Sequence, residues 1–373
     1  MDDTASRRAF LRSGLVAGTG AAAALGFGVS RAFSQSIEEN ERRALDFRPG
    51  TNMPEKYFTG PWRNLRAVKE KKVIDMHCHP YTTCTQAPDY AGTGRLHRER
   101  NYCDHSDPMI ASFDRHGIAM GALIPAWVSF EQVLATSYAK HKDRYLLTAG
   151  FPTKEMLDTG KRAEDYTPKE LAALYRKMLV EYKVSHIGES AGGAMKALAA
   201  KYGPLALAPV VDVILEFDVP VHFDPGSWSP TGTGLRVGRY ETSESIDAVS
   251  APLIATYPDV KFIVAHCGGQ FWQEDGWKVA RMLFSLENTY TEISKTFNPE
   301  LIKTVVRGIG PERVMYGSDW NRPEMKTYGP YHLRAAYQHW NSLSTLAEAG
   351  LTEEENDWVC YKTARKLLKL DKA

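Results

Sequence analysis

From Lys72 onward, short apolar runs alternate with longer stretches whose apolar residues recur every three or four positions. The short runs are Val73–His77, Ile118–Pro125, Tyr145–Phe151, Ser185–Glu189, Val219–Phe223, Lys261–His266, Thr289–Ser294 and Arg313–Gly317. Most are rich in Val, Ile or aromatics, and their length suits buried parallel strands. Between them, Thr167–Tyr182, Leu205–Phe217, Ser243–Tyr257 and Trp272–Glu287 have helical spacing, and Pro299–Gly308 is a shorter helix of the same kind. Pro168 and Pro299 stand in a first helical turn, where proline is tolerated. Eight strands separated by helices over roughly 250 residues predict an α/β fold, a (β/α)8 TIM barrel. A doubly wound open sheet is the rival, but no Gly-x-Gly-x-x-Gly follows the first strand. The tail His332–Leu370 adds two helices that flank or cap the barrel.

The N-terminus breaks this pattern. Ser6-Arg7-Arg8-Ala9-Phe10-Leu11-Arg12 precedes a weakly apolar, Ala/Gly-rich run to Val29, and Ala32-Phe33-Ser34 has a small-x-small pattern. Residues 1–34 resemble a twin-arginine export signal cleaved near Ser34. That reading predicts a periplasmic protein whose partner during export is the twin-arginine machinery. The run is short and Gly-rich for a spanning helix, so no stable membrane span is expected after processing. Residues 35–70 are polar and contain proline, and read as a linker and an arm on the body. Residues 71–373 form the barrel domain.

Composition narrows the function class. The 373 residues carry a net charge of +1 and are 43% hydrophobic, enough for a large core. Near-neutral charge gives no electrostatic footprint for nucleic acid, so a small-molecule substrate is the expected partner. A homo-oligomer is a further candidate assembly. There are five cysteines and no Cys-x-x-Cys, which argues against a structural zinc site. Cys78 and Cys267 lie on apolar segments and are expected buried and unpaired. An oxidising compartment would permit a Cys84–Cys103 disulfide.

Chemistry concentrates at the ends of the predicted strands. His77 and His79 stand at i and i+2 on the first, so their side chains share a face with Cα atoms roughly 6.5 Å apart. Two imidazoles so placed can converge on one ion at about 2 Å. His222 ends the fifth predicted strand, His266 the sixth, and Asp319 follows the eighth. In a barrel these ends open onto one face, where active sites lie.

The motifs VIDMHCHP, VPVHFDPG, YPDVKFIVAHCGGQF and RVMYGSDWNRP, in this order and at these strand ends, resemble the amidohydrolase superfamily. The weaker LTEEENDWVCYKTARKLLKL extends the likeness, which covers roughly residues 72–370. The similarity is to its amidohydrolase-related (amidohydrolase 2) branch of metal-dependent hydrolases and decarboxylases. The resemblance implies that His77, His79, His222 and Asp319 bind one divalent metal, and that His266 holds the attacking water or a second ion. Zn2+ is the expected metal, with Mn2+ or another divalent ion also suited. Glu189 would bridge two ions or contact substrate, or else simply accept backbone hydrogen bonds at the barrel mouth. One or two ions are therefore expected. In the catalytic reading, Asp319 is the general base and His266 positions or protonates.

The leading expectation is hydrolysis of a small-molecule amide, ester or lactone by water whose pKa the metal lowers towards about 7. The alternative is non-oxidative decarboxylation of an aromatic or unsaturated acid with the same ligands. A third reading is a periplasmic binding protein without catalysis. Trp127, Phe151, Trp228 and Trp320 follow strands and either shape an aromatic-tolerant pocket or pack loops onto the rim. Arg322 pairs with a substrate carboxylate or with a surface acid. The insert Tyr81–Asp104 is expected to face substrate, and His97, His105, His116, His141 and His186 are read as ordinary.

Overall fold

The computed structural model describes residues 60–83, 102–125, 128–225, 249–267, 282–320 and 338–372. All eight predicted strands form. They are β1 (Val73–Cys78), β4 (Ile118–Leu123), β5 (Tyr145–Ala149), β6 (His186–Ile187), β7 (Val221–Phe223), β8 (Phe262–Val264), β9 (Thr289–Glu292) and β10 (Val314–Met315). A separate antiparallel pair, β2 (Tyr81–Thr83) and β3 (Tyr102–Asp104), lies at the two ends of the insert after β1. The eight run in the order β1-β4-β5-β6-β7-β8-β9-β10, each parallel to its neighbour.

Backbone bonds close the ring between the first and last strands. Met76 N–H donates to the Tyr316 carbonyl at 2.9 Å, Asp319 N–H to His77 at 2.8 Å and His79 N–H to Trp320 at 2.7 Å. The result is the (β/α)8 barrel that the alternation predicts. Its core includes Ile74, Met76, Ile263 and Met315, packed with Ala364 and Leu367 of the C-terminal tail.

Local chemistry sets the helices. α1 (Ser106–His116) stops at Gly117, whose φ of 67° suits a residue without Cβ. α2 (Pro168–Tyr182) starts on a capping box in which Thr167 and Glu170 satisfy each other's backbone N–H. α3 (Glu189–Tyr202), α4 (Ala208–Phe217) and α5 (Pro299–Ile309) follow, and α6 (Gln338–Glu348) belongs to the tail. The tail continues as helical segments from Glu353 to Leu367.

One expectation is corrected and one helix is added. The fourth barrel strand ends at Ile187, so Glu189 does not end a strand: Gly188 caps the helix that Glu189 begins. α3 escapes sequence reading because Gly192-Gly193 looks like a loop. Yet Gly192 is what allows α3 to lie on β7, since a Cβ there would collide with the His222 carbonyl oxygen. Residues 60–70 lie on the body: Trp62 is buried on His116 with ring centroids 4.9 Å apart, and Arg66 Nε donates to Asp357 at 2.9 Å.

The export segment 1–34, Cys84, Trp127, Trp228 and Arg322 lie outside the described residues, as do most of the insert and much of the helices expected at 243–257 and 272–287. Among the described residues, no helix is long and apolar enough to cross a membrane. Cys78, Cys267 and Cys360 are buried, and none forms a disulfide among the described residues.

Candidate metal centre

The strand ends and the first turn of α3 bring His77, His79, Glu189, His222, His266 and Asp319 into one buried cluster at the C-terminal end of the barrel. His77 is central. Its Nε2 lies 3.0 Å from His79 Nε2, 3.2 Å from a Glu189 carboxylate oxygen and 3.7 Å from Asp319 Oδ1. His79 Nε2 lies 3.3 Å from Asp319 and 3.6 Å from Glu189.

Tautomers follow from the partners on the other ring nitrogens. His79 Nδ1 lies 3.0 Å from the Ile124 carbonyl, which only accepts, so Nδ1 carries the hydrogen. His77 Nδ1 faces a Glu292 carboxylate oxygen at 2.9 Å, with the same consequence. In the neutral rings the two Nε2 lone pairs then point at each other across 3.0 Å. Such an arrangement calls for a cation between them.

His266 repeats the pattern. The Ser294 hydroxyl donates to Glu292 at 2.9 Å, so it accepts from His266 Nδ1 at 2.6 Å. His266 Nε2 is left facing Glu189 at 3.9 Å and Asp224 at 4.0 Å. His222 stands to one side: its Nε2 is 3.8 Å from Glu292, too far for a hydrogen bond, and among the described residues neither ring nitrogen finds a partner. One Glu189 oxygen also lacks a hydrogen bond. Buried groups of this kind each cost roughly 1–3 kcal/mol unless a ligand takes them up. A divalent ion fits the donors: His77 with His79 and Glu189, His77 with His266 and Asp319, His77 with His222 and Glu292, and Glu189 with Asp224 and His266 all converge within 4.8 Å.

The carboxylates around the cluster attract positive charge, whether a proton or a cation. Burial opposes charge on His77, but Glu189, Asp319 and Glu292 outweigh it and raise its pKa well above the usual imidazole value. Burial likewise disfavours ionised Asp319, yet Lys295, His77 and His79 hold it well below the usual range. Glu189 is kept ionised against burial by His77, His79 and His266. His222 is pushed down by burial and stays neutral, the form that binds a metal.

Sequence reading missed Glu292, the hub of the second layer. Besides His77 Nδ1, it accepts the His266 backbone N–H at 2.8 Å and the Ser294 N–H at 2.6 Å. It is the last residue of β9, a strand-end position like that of the histidines, but in a strand of mixed polarity. Asp224, Lys295 and Asp75 were also missed. His186, read as ordinary, sits in β6 beside His222, and burial followed by the His222 and His77 charges lowers its pKa to about 3. Of the expected pocket aromatics, Phe151 and Trp320 are buried, Phe151 against Tyr175 and Trp320 stacked on His339 at 6.1 Å. Both serve packing.

Backbone strain gathers at the same rim. His266, Cys267, Lys295 and Asp319 all have left-handed φ between 48° and 64°. Non-glycine residues pay roughly 1–2 kcal/mol for this conformation, which recurs at functional sites.

Comparison with known proteins assigns the chain to a family. The amidohydrolase family model matches residues 74–370. Among solved structures, an amidohydrolase from Burkholderia multivorans with bound HEPES is 16% identical, covering 80% of this chain and 99% of that one at a TM-score of 0.51. A 5-carboxyvanillate decarboxylase from Sphingomonas paucimobilis is 13% identical over 80% of this chain and 99% of that one, TM-score 0.50. A dihydroxybenzoic acid decarboxylase from a Polaromonas species, with bound manganese and the inhibitor 2-nitroresorcinol, is 15% identical over 81% and 98%, TM-score 0.50. At these identities the likeness is one of fold. No protein of curated function matches the chain by sequence. The match over residues 74–370, on a barrel whose strand ends carry this histidine and carboxylate cluster, makes the chain a member of the amidohydrolase family, in its amidohydrolase-2 branch.

Proposed function

We propose that the chain is a metal-dependent, non-oxidative decarboxylase of an aromatic or unsaturated carboxylic acid. The facing Nε2 atoms of His77 and His79, 3.0 Å apart and flanked by Asp319 and Glu189, carry the metal part of this reading. His77, His79, His222 and Asp319 are the proposed ligands, with Glu189 on the open side. Mixed nitrogen and oxygen donors suit Mn2+ as well as Zn2+, and the manganese in the Polaromonas enzyme favours the former. Two decarboxylases of substituted benzoic acids among the fold neighbours favour an acid as substrate over the neutral bond of the first expectation.

When bound, a divalent ion would supply an electrophile for the acid's carboxylate and neighbouring oxygen. The protein's part is to hold the acid and move a proton. His266 Nε2 opens onto the pocket while Nδ1 is fixed by Ser294, so His266 is the proposed proton carrier to the carbon that loses CO2. Asp319 helps to hold the ion and to steer that proton.

Hydrolysis of an amide, ester or lactone is the second reading, favoured by the Burkholderia amidohydrolase and served by the same residues. Metal-loaded protein offered parallel panels of aromatic acids and of esters, lactones and amides separates them. CO2 release abolished by His77→Ala is expected; water addition without CO2 release would transfer the function to the second reading. Turnover of neither panel would favour a binding protein. Export to the periplasm through Arg7 and Arg8 is a further proposal, tested by fractionating cells that express Arg7→Lys/Arg8→Lys protein.

A further inference from the structure

Lys295 stands just beyond β9, beside the proposed metal ligand Asp319. It follows β9 in a turn closed by Thr296 N–H donating to the Ile293 carbonyl at 3.0 Å, and Thr296 Oγ1 ties that turn to the His266 carbonyl at 2.9 Å. Its φ of 52° places a lysine where turns usually take glycine or asparagine. The strained turn delivers its ammonium to Asp319 Oδ2, while Asp319 Oδ1 faces His79 and His77. The two oxygens of one carboxylate thus separate the histidine pair from the lysine.

The lysine side chain is 29% exposed where Asp319 is 3% exposed, so it reaches the centre from the solvent side. Lys196 provides the contrast: it is buried, and its ammonium donates to the Asp224 and Pro225 carbonyls at 3.1 Å each. An ammonium has three donors. Among the described residues, Asp319 is the one ion-pair partner of Lys295. With a divalent ion on the far side of Asp319, the mouth would present two positive centres to whatever enters, a field selecting anions.

We infer that Lys295 is the substrate-recognition residue of this site, binding the carboxylate or an adjacent oxyanion of an acid that also reaches the metal. This rests on the reading of the substrate as an acid, and assigns to Lys295 the discrimination of that acid from neutral analogues.

The test measures binding of benzoate and of its neutral isostere benzamide to Mn2+-loaded full-length protein by calorimetry, with metal content read by elemental analysis. Lys295→Met is expected to keep its Mn2+ and to lose about tenfold or more of its preference for benzoate, as the loss of a charge-assisted hydrogen bond implies. Benzamide binding should stay within about twofold. Lys295→Gln gives the same reading should the Met variant fail to fold. An unchanged benzoate-to-benzamide ratio overturns the inference, as does equal weakening of both ligands. Failure of the function is separable: a lost ratio in a protein that releases no CO2 from any acid leaves Lys295 as an anion site and removes decarboxylation alone.

Discussion

Asp75 Oδ1 accepts a hydrogen bond from the Ser318 backbone N–H at 2.9 Å although 243 residues separate the two. The same oxygen accepts His77 N–H at 3.0 Å, while Oδ2 accepts from the Ser318 hydroxyl at 2.5 Å and pairs with His339 Nε2 at 3.1 Å. One fully buried carboxylate therefore fixes both the strand bearing His77 and the turn bearing Asp319. Removing it leaves several donors unpaired. Asp75→Ala should cost about 3 kcal/mol of folding stability and weaken metal binding, as urea melts and chelator competition would show. A melt unchanged from wild type would mean that Asp75 does not hold the seam.

His222 allows a sharper separation of metal binding from folding. Both its ring nitrogens are buried without a hydrogen-bond partner among the described residues. Replacing it by Leu should leave the metal-free protein as stable as before, or more so by about 1 kcal/mol, because an unsatisfied polar group is removed. The rise in Tm that Mn2+ or Zn2+ gives the wild type should shrink to little or nothing. Thermal melts with and without chelator measure both effects, and a full metal-induced rise in the variant would take His222 out of the ligand set.

Glu292→Gln keeps the shape of the side chain but releases the His77 Nδ1 hydrogen and the Ser294 hydroxyl from a charged acceptor. Partners that fix a ligand's tautomer are typically worth about 10–100-fold in metal affinity. That loss, with near-normal folding, is the expected result of a chelator titration. Unaltered affinity would make Glu292 a packing residue only.

Stability should fall on mild acidification because of His116. Burial, followed by the nearby charges of His339, Arg115 and Arg63, lowers its pKa to about 3. The unfolded chain, with an ordinary value of about 6.5, binds the proton more readily. The stability that neutral His116 contributes is complete above pH 6.5 and is lost as pH falls towards 3, at up to about 1.4 kcal/mol per pH unit. Urea melts at pH 7 and pH 5 should differ less in His116→Phe than in the wild type; an equal difference would assign the acid sensitivity to other groups.

Much of this was legible in the chain because barrel strands are short, apolar and bounded. A single polar residue at the end of Val219-Pro220-Val221 or Phe262-Ile263-Val264-Ala265 stands out, which is why His222 and His266 could be read. Glu292 obeys the same rule but ends Thr289-Tyr290-Thr291, where polar residues blur the contrast. Glu189 was seen but given a strand end, because Gly188 as a helix cap looks like any glycine after a strand. The role of Asp75 depends on where strands far apart in sequence meet, and that of Lys295 on a left-handed turn. Neither property has a local signature.

The seam between β1 and β10 gives the centre a temporal character. His77 and His79 come from the first barrel strand and Asp319 from just beyond the last, joined by the Asp319 N–H to His77 carbonyl bond of 2.8 Å. A chain whose last strand has yet to dock owns only half a chelate. An ion held by His77, His79 and Asp319 together would act as a latch across the joint between the first and last strands.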